Sequence, residues 1–97
     1  MFVHHVFFWM KEGADHDYFE AQLKVLVTID LIRNSNVGKV AVSERDVVES
    51  SYHFSLLCFF DNKADHDAYQ DHPDHHVFVA NCKDLWAKVR VFDSVDV

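Results

Sequence analysis

Proline occurs once and glycine twice in the 97 residues, too little of either for a linker or a low-complexity segment. Basic residues are also scarce. Nine Lys and Arg stand against sixteen Asp and Glu, giving a formal charge of −7 with neutral histidine. Such a chain repels a phosphate backbone, and no basic stripe or RNA-binding aromatic signature offsets this, so nucleic acid is not expected as a partner. The two cysteines, Cys58 and Cys82, lack a dense spacing pattern and read as small buried hydrophobes in a reducing compartment. The apolar stretch from Val6 to Met10 is too short for a signal segment or a membrane span, and no basic segment precedes it. The expectation is a cytoplasmic protein with no membrane partner. Gly-rich phosphate loops, paired catalytic carboxylates and nucleophile elbows are missing as well.

What remains is rich in core-forming residues. Hydrophobic side chains make up 49% of the chain, nine of them Phe, enough for one respectable core and too few for two, so a single domain over residues 1–97 is expected. Eight histidines could carry the formal charge from −7 to +1 in mild acid, which makes stability and solubility pH-sensitive.

Along the chain, Phe2 to Met10 lacks a helical period and is apolar on both alternating faces, as in a strand covered on two sides. Asp15 is a plausible N-cap for a helix in which Phe19, Leu23, Leu26 and Val27 recur at helical spacing. Arg33 to Asn36 form a polar loop. Val37 to Ser43 give a second strand with Gly38 as a bulge or bend, and Glu44 to Ser51 a hairpin connection. Tyr52 to Phe60 is a third strand, with Phe54, Leu56, Cys58 and Phe60 on one face and Leu57 and Phe59 on the other. A short helix ends at Tyr69, a further helix runs from Pro73 to about Trp86, and Val89 to Asp93 form a fourth strand.

Two segments echo each other fifty positions apart: Ala14-Asp15-His16-Asp17-Tyr18-Phe19 and Ala64-Asp65-His66-Asp67-Ala68-Tyr69. Each follows a strand and a loop containing lysine, which implies two βαβ halves. Both Asp-His-Asp triplets read as helix caps in preference to metal sites. The fold class is therefore α+β: a ferredoxin-like βαββαβ domain with a four-stranded antiparallel sheet and helices on one face. Strands apolar on both faces need a second cover, which a second copy of the chain supplies most economically, as a homodimer with sheet packed on sheet.

For chemistry, the segment His72-Pro73-Asp74-His75 starts a helix whose stripe of Phe78, Cys82, Leu85 and Trp86 also carries His75. His76, rotated by about 100°, points to solvent, and His72 serves as cap. Tyr69 can fold back toward His75 at the turn. A phenol beside a partly buried imidazole forms a proton-transfer pair, because burial holds the ring neutral and ready to accept a proton near pH 7. His5 is the candidate third polar group. The expected catalytic residues are Tyr69 and His75. The expected ligand-binding residues are His5, Phe7, Trp9, Phe54, Leu56, Phe78, Cys82 and Trp86, lining a small apolar site. No cofactor and no dedicated metal site are expected, because His72, His75 and His76 lack an ordered ligand set.

The stretches His5-Val6-Phe7-Phe8-Trp9-Met10-Lys11, Ala68-Tyr69, His72-Pro73-Asp74-His75 with Phe78, and Trp86 with Val91-Phe92-Asp93 resemble the stress-responsive α/β barrel domain family, called Dabb. The resemblance covers nearly the whole chain. It implies a ferredoxin-like domain whose two copies close into a dimeric α/β barrel. Its best understood relative is a plant polyketide cyclase, in which a tyrosine and a histidine assist an intramolecular aldol condensation; those roles would fall on Tyr69 and His75, with His5 lining the pocket. The relative has a third-strand histidine where Phe54 stands here, and Phe7 and Trp9 should narrow the cavity. The resemblance thus implies a stress-response protein with an apolar pocket, acting by acid and base chemistry on an enolisable carbonyl compound. The alternatives are a non-catalytic dimer that binds a hydrophobic ligand or is purely structural, and a monooxygenase-like member of the wider dimeric barrel group, with His75 and Trp86 as candidates.

Overall fold

The first strand, β1 (Phe2–Met10), is a run of aromatic and β-branched residues suited to a pleated surface. Its even-numbered residues, from Phe2 through His4 to Met10, are buried, while Val3, His5, Phe7 and Trp9 on the other face are half-buried. The structure, a computed structural model, describes all of Met1–Val97. After β1 come α1 (His16–Leu26), β2 (Asn34–Lys39), β3 (Phe54–Phe60), α2 (Lys63–Gln70), α3 (Pro73–Cys82) and β4 (Trp86–Val95). The strands lie in the order β2-β3-β1-β4 with every neighbouring pair antiparallel, which is the ferredoxin-like βαββαβ arrangement.

Local chemistry sets the helix starts. The Asp15 carboxylate accepts a hydrogen bond from the Tyr18 N–H at 2.9 Å, and α1 then buries Phe19, Leu23 and Leu26. His72 caps α3, its Nδ1 accepting from the Asp74 N–H at 3.0 Å, and Pro73 stands at the first helical position, where its missing N–H costs no hydrogen bond. The second Asp-His-Asp triplet departs from the capping expectation. Asn62 is the cap of α2, accepting from the Asp65 N–H at 2.8 Å, so the triplet lies inside the helix with only Asp65 as an acid of its first turn, and His66 is driven into the core, 4% exposed.

Several boundaries differ from the sequence reading. β2 begins at Asn34 and stops at Lys39, because pairing with β3 runs only from Asn34↔Phe59 to Lys39↔Phe54. Beyond it one further bond, from the Val40 N–H to the His53 carbonyl, holds the chains together, and Val42 is exposed. Gly38 marks no bulge. It sits in regular register opposite Ser55, and a Cβ there would come within 2.7 Å of the Ser55 hydroxyl. The irregularity in the sheet lies at Trp9/Met10, in the pairing of β1 with β4. α3 ends at Cys82, short of Trp86, because Trp86 is already paired with Met10 as the first residue of β4. β4 accordingly begins earlier and ends later than Val89–Asp93.

The buried side chains of α1, α2 and α3 join the even face of β1 and the Phe54, Leu56, Cys58, Phe60 face of β3 in one core. Fully burying each such large apolar side chain contributes about 1.5–3 kcal/mol. The odd face of β1 lies on the side away from this core.

Candidate functional site

A cavity of about 190 Å³ lies between the sheet and the helices. β1 contributes His4, Val6 and Phe8 to its wall, β3 contributes Leu56, α2 Tyr69 and Gln70, α3 His75, Phe78 and Val79, and β4 Trp86, Val89 and Val91. The break between α2 and α3 places Tyr69 against His75. The His72 N–H donates to the Tyr69 carbonyl at 3.1 Å, and the His75 N–H to the His72 carbonyl at 3.0 Å. This tight corner folds the phenol ring onto the imidazole edge to face, with centroids 4.9 Å apart and planes at 77°.

Tyr69 is 1% exposed, yet its hydroxyl makes no hydrogen bond within the chain. No side-chain polar atom without a partner is sealed from solvent, so the hydroxyl opens to the cavity. Burial pushes the Tyr69 phenol far above its usual pKa, and the nearby Cys58 adds to this. Burial also lowers the His75 imidazole, with smaller contributions in the same direction from His76, His4 and His66. At neutral pH the pair is thus a protonated phenol beside an unprotonated imidazole. Such a pair can donate at one atom and accept a proton at another.

Of the residues expected from sequence, Tyr69, His75, Leu56, Phe78 and Trp86 meet in this cavity. Phe54 and Cys82 are buried on the same side of the sheet but outside its wall. His5, Phe7 and Trp9 point the other way, because side chains alternate along a strand and the even residues of β1 took the interior. They therefore neither line nor narrow the cavity; Phe8 and Trp86 do. Phe7 and Trp9 instead flank an open groove on the far face, with Tyr52, Phe92, Lys88, Arg90 and Glu49.

The residue that sequence reasoning missed is His4, 3% exposed. Its Nδ1 lies 2.6 Å from the Asp93 carboxylate. Burial lowers its pKa, and the hydrogen bond and charge of Asp93 oppose that shift without reversing it. The one available signal was Asp93 itself, an acid on the same face of β4 as Val89 and Val91, directly opposite His4.

The model of the stress responsive A/B barrel domain family, Dabb, matches residues 2–96. The chain belongs to the Dabb family. Three solved structures place this Dabb domain among ferredoxin-like proteins. One from Arabidopsis thaliana is 22% identical, with 100% of this chain covering 96% of that one at a TM-score of 0.82. A dimeric ferredoxin-like protein of unknown function from Thermobifida fusca is 20% identical, with coverage of 97% and 89% and a TM-score of 0.73. A hydroxynitrile lyase from Passiflora edulis is 14% identical, with coverage of 99% and 93% and a TM-score of 0.81. No curated protein matches the sequence. At these identities the neighbours establish the fold of the Dabb domain alone. No helix is long and apolar enough to cross a membrane.

Proposed function

We propose that this Dabb domain is a dimeric protein that performs acid and base chemistry on a small, mostly apolar, enolisable carbonyl compound held in the cavity beside Tyr69 and His75. The observation that carries the reading is the unpartnered Tyr69 hydroxyl next to an imidazole that also has no side-chain partner, in a cavity otherwise walled largely by apolar residues. In this scheme neutral His75 takes a proton from the carbon next to the carbonyl. The electron pair passes to the carbonyl oxygen, and the Tyr69 O–H donates a hydrogen bond to the enolate oxygen as charge develops there. A cavity of about 190 Å³ is below the roughly 300–1,000 Å³ of drug-sized sites, which favours a compact substrate over a long chain. The lyase among the fold neighbours is compatible with this class of chemistry.

The test is solvent deuterium exchange at the α-carbon of small apolar ketones and aldehydes, followed by NMR. The native protein should accelerate exchange over buffer, and both His75→Ala and Tyr69→Phe should remove about 10²–10⁴-fold of that rate. Exchange that survives both substitutions, or none with the native protein across the series, would count against the assignment.

The dimer rests on the sheet face away from the helices, where Val3, His5, Phe7, Trp9, Leu57 and Phe59 are only half covered and Phe92 is 62% exposed. Apolar area of this extent on a small chain calls for a partner surface, and dimeric neighbours of the same fold support it. Light scattering at micromolar concentration should give twice the chain mass, and Phe92→Glu should shift it toward the monomer. A monomer mass for the native chain would refute the dimer.

A further inference from the structure

Beside the Tyr69–His75 pair, three side chains far apart in sequence converge next to the cavity, the His4 and His66 rings lying 6.0 and 6.4 Å from the Tyr69 ring between centroids. His4 of β1, His66 of α2 and Asp93 of β4 bring one ligand atom each to positions that all lie within 4.8 Å of one another. His66 Nε2 is 3.2 Å from His4 Nδ1, and Asp93 Oδ1 is 2.6 Å from the same nitrogen.

The hydrogen-bond pattern fixes what each atom can do. His66 Nδ1 lies 3.0 Å from the Asp67 carboxylate, which only accepts when ionised, so Nδ1 carries the ring proton and Nε2 is left with a lone pair. That lone pair and the Asp93 carboxylate both face His4 Nδ1. Two acceptors therefore compete for a single N–H. A divalent cation in place of that proton would satisfy all three atoms at once: His4 moves its proton to Nε2 and turns a lone pair inward, with no net proton lost.

We infer that His4, His66 and Asp93 form a binding site for a divalent transition-metal ion of the zinc class. Two imidazoles and a carboxylate are the donor set such ions take, with bonds of about 2.0–2.2 Å. Ligand atoms around a tetrahedral ion of that size sit roughly 3.3 Å apart, close to the spacing of the two imidazole nitrogens. The shorter contact to Asp93 lengthens easily, because its side chain is 37% exposed and free to adjust. The same exposure gives the ion a route in and leaves a coordination position for water.

The surroundings also match a built metal site. Asp67 orients His66 by accepting from its far nitrogen, the arrangement in which a carboxylate holds a metal-bound histidine. Phe2 packs over the His66 ring at 4.4 Å, and Phe60 meets both imidazoles edge-on, an apolar collar around the donors. Occupied, the site would tie α2 and the end of β4 to the central strand. His72, His75 and His76 are not part of it.

The experiment is titration of the whole, metal-stripped protein with Co²⁺, read by visible d–d absorption, and competition with Zn²⁺, read by dialysis. One ion per chain is expected. Asp93→Asn and His66→Ala should abolish uptake, Asp67→Asn should weaken it by about 10–100-fold, and His76→Ala on the surface should leave it unchanged. Where His66→Ala fails to fold, Asp93→Asn at its half-exposed position decides the matter. No stoichiometric uptake, uptake retained in Asp93→Asn, or uptake lost in His76→Ala would each overturn the assignment.

Discussion

Removing one oxygen atom should separate a tyrosine held for chemistry from one held for architecture. A structural tyrosine in a core hydrogen-bonds through its hydroxyl, and Tyr→Phe then costs about 1 kcal/mol for the bond, plus about 1–3 kcal/mol where the former partner is left buried and unpaired. Tyr69 has no such partner. Its ring is 1% exposed and packs against Phe60 at 5.1 Å and His75 at 4.9 Å, contacts that phenylalanine reproduces. Tyr69→Phe should therefore leave stability unchanged or raise it by up to about 1 kcal/mol, because the hydroxyl is partly desolvated without compensation. For a domain of this length, 1 kcal/mol shifts Tm by about 4–8 °C. Thermal and urea melts at pH 7.5 should thus show a midpoint at or above that of the native protein, with an unchanged urea slope. Stability and carbonyl exchange should separate in this variant, as expected where a polar group is kept for function at a cost to the fold. A loss of more than about 1 kcal/mol would refute the reasoning, since it would mean that the hydroxyl is held by a partner and belongs to the framework.

Two further outcomes follow from buried titratable groups. Burial lowers the pKa of His4 and His75 from the ordinary 6.5, so below that pH the unfolded chain binds protons that the native chain does not. Stability should be full above pH 6.5 and fall with acidification, by at most about 1.4 kcal/mol per pH unit for each histidine until it titrates in the native state. Urea midpoints at pH 7.5 and 5.5 measure this, and a midpoint that rises in acid would reverse the sign and exclude the argument. Burial likewise pushes the thiols of Cys58 and Cys82 up to about 12 and about 11. Iodoacetamide at pH 8 should label neither until urea unfolds the chain, and prompt labelling of the native protein would show that these side chains are accessible.

The sequence carried the element order and fold class because periodicity and caps were unambiguous where they mattered. Asp15 capped α1, and the Pro73 turn placed Tyr69 beside His75. Boundaries were less legible where sheet pairing overrode local pattern. The helical stripe through Phe78 and Cys82 continues in sequence to Trp86, no glycine marks the end of the helix, and only pairing with Met10 makes Trp86 a strand residue. The phase of β1 was the hardest feature to read. With aromatic and aliphatic residues on both faces, the alternation held no information about which set faces the helices, and a one-residue shift exchanges His5 for His4. Long-range register resolves it. The face of β3 bearing Phe54, Leu56, Cys58 and Phe60 lies opposite Phe8, Val6, His4 and Phe2, and antiparallel partners share a face. Once β3 is known to turn its Cys58 side inward, His4 must follow it. The acid opposite on β4 gives that histidine a partner, and the site that β1 contributes passes from the exposed sheet face to the interior.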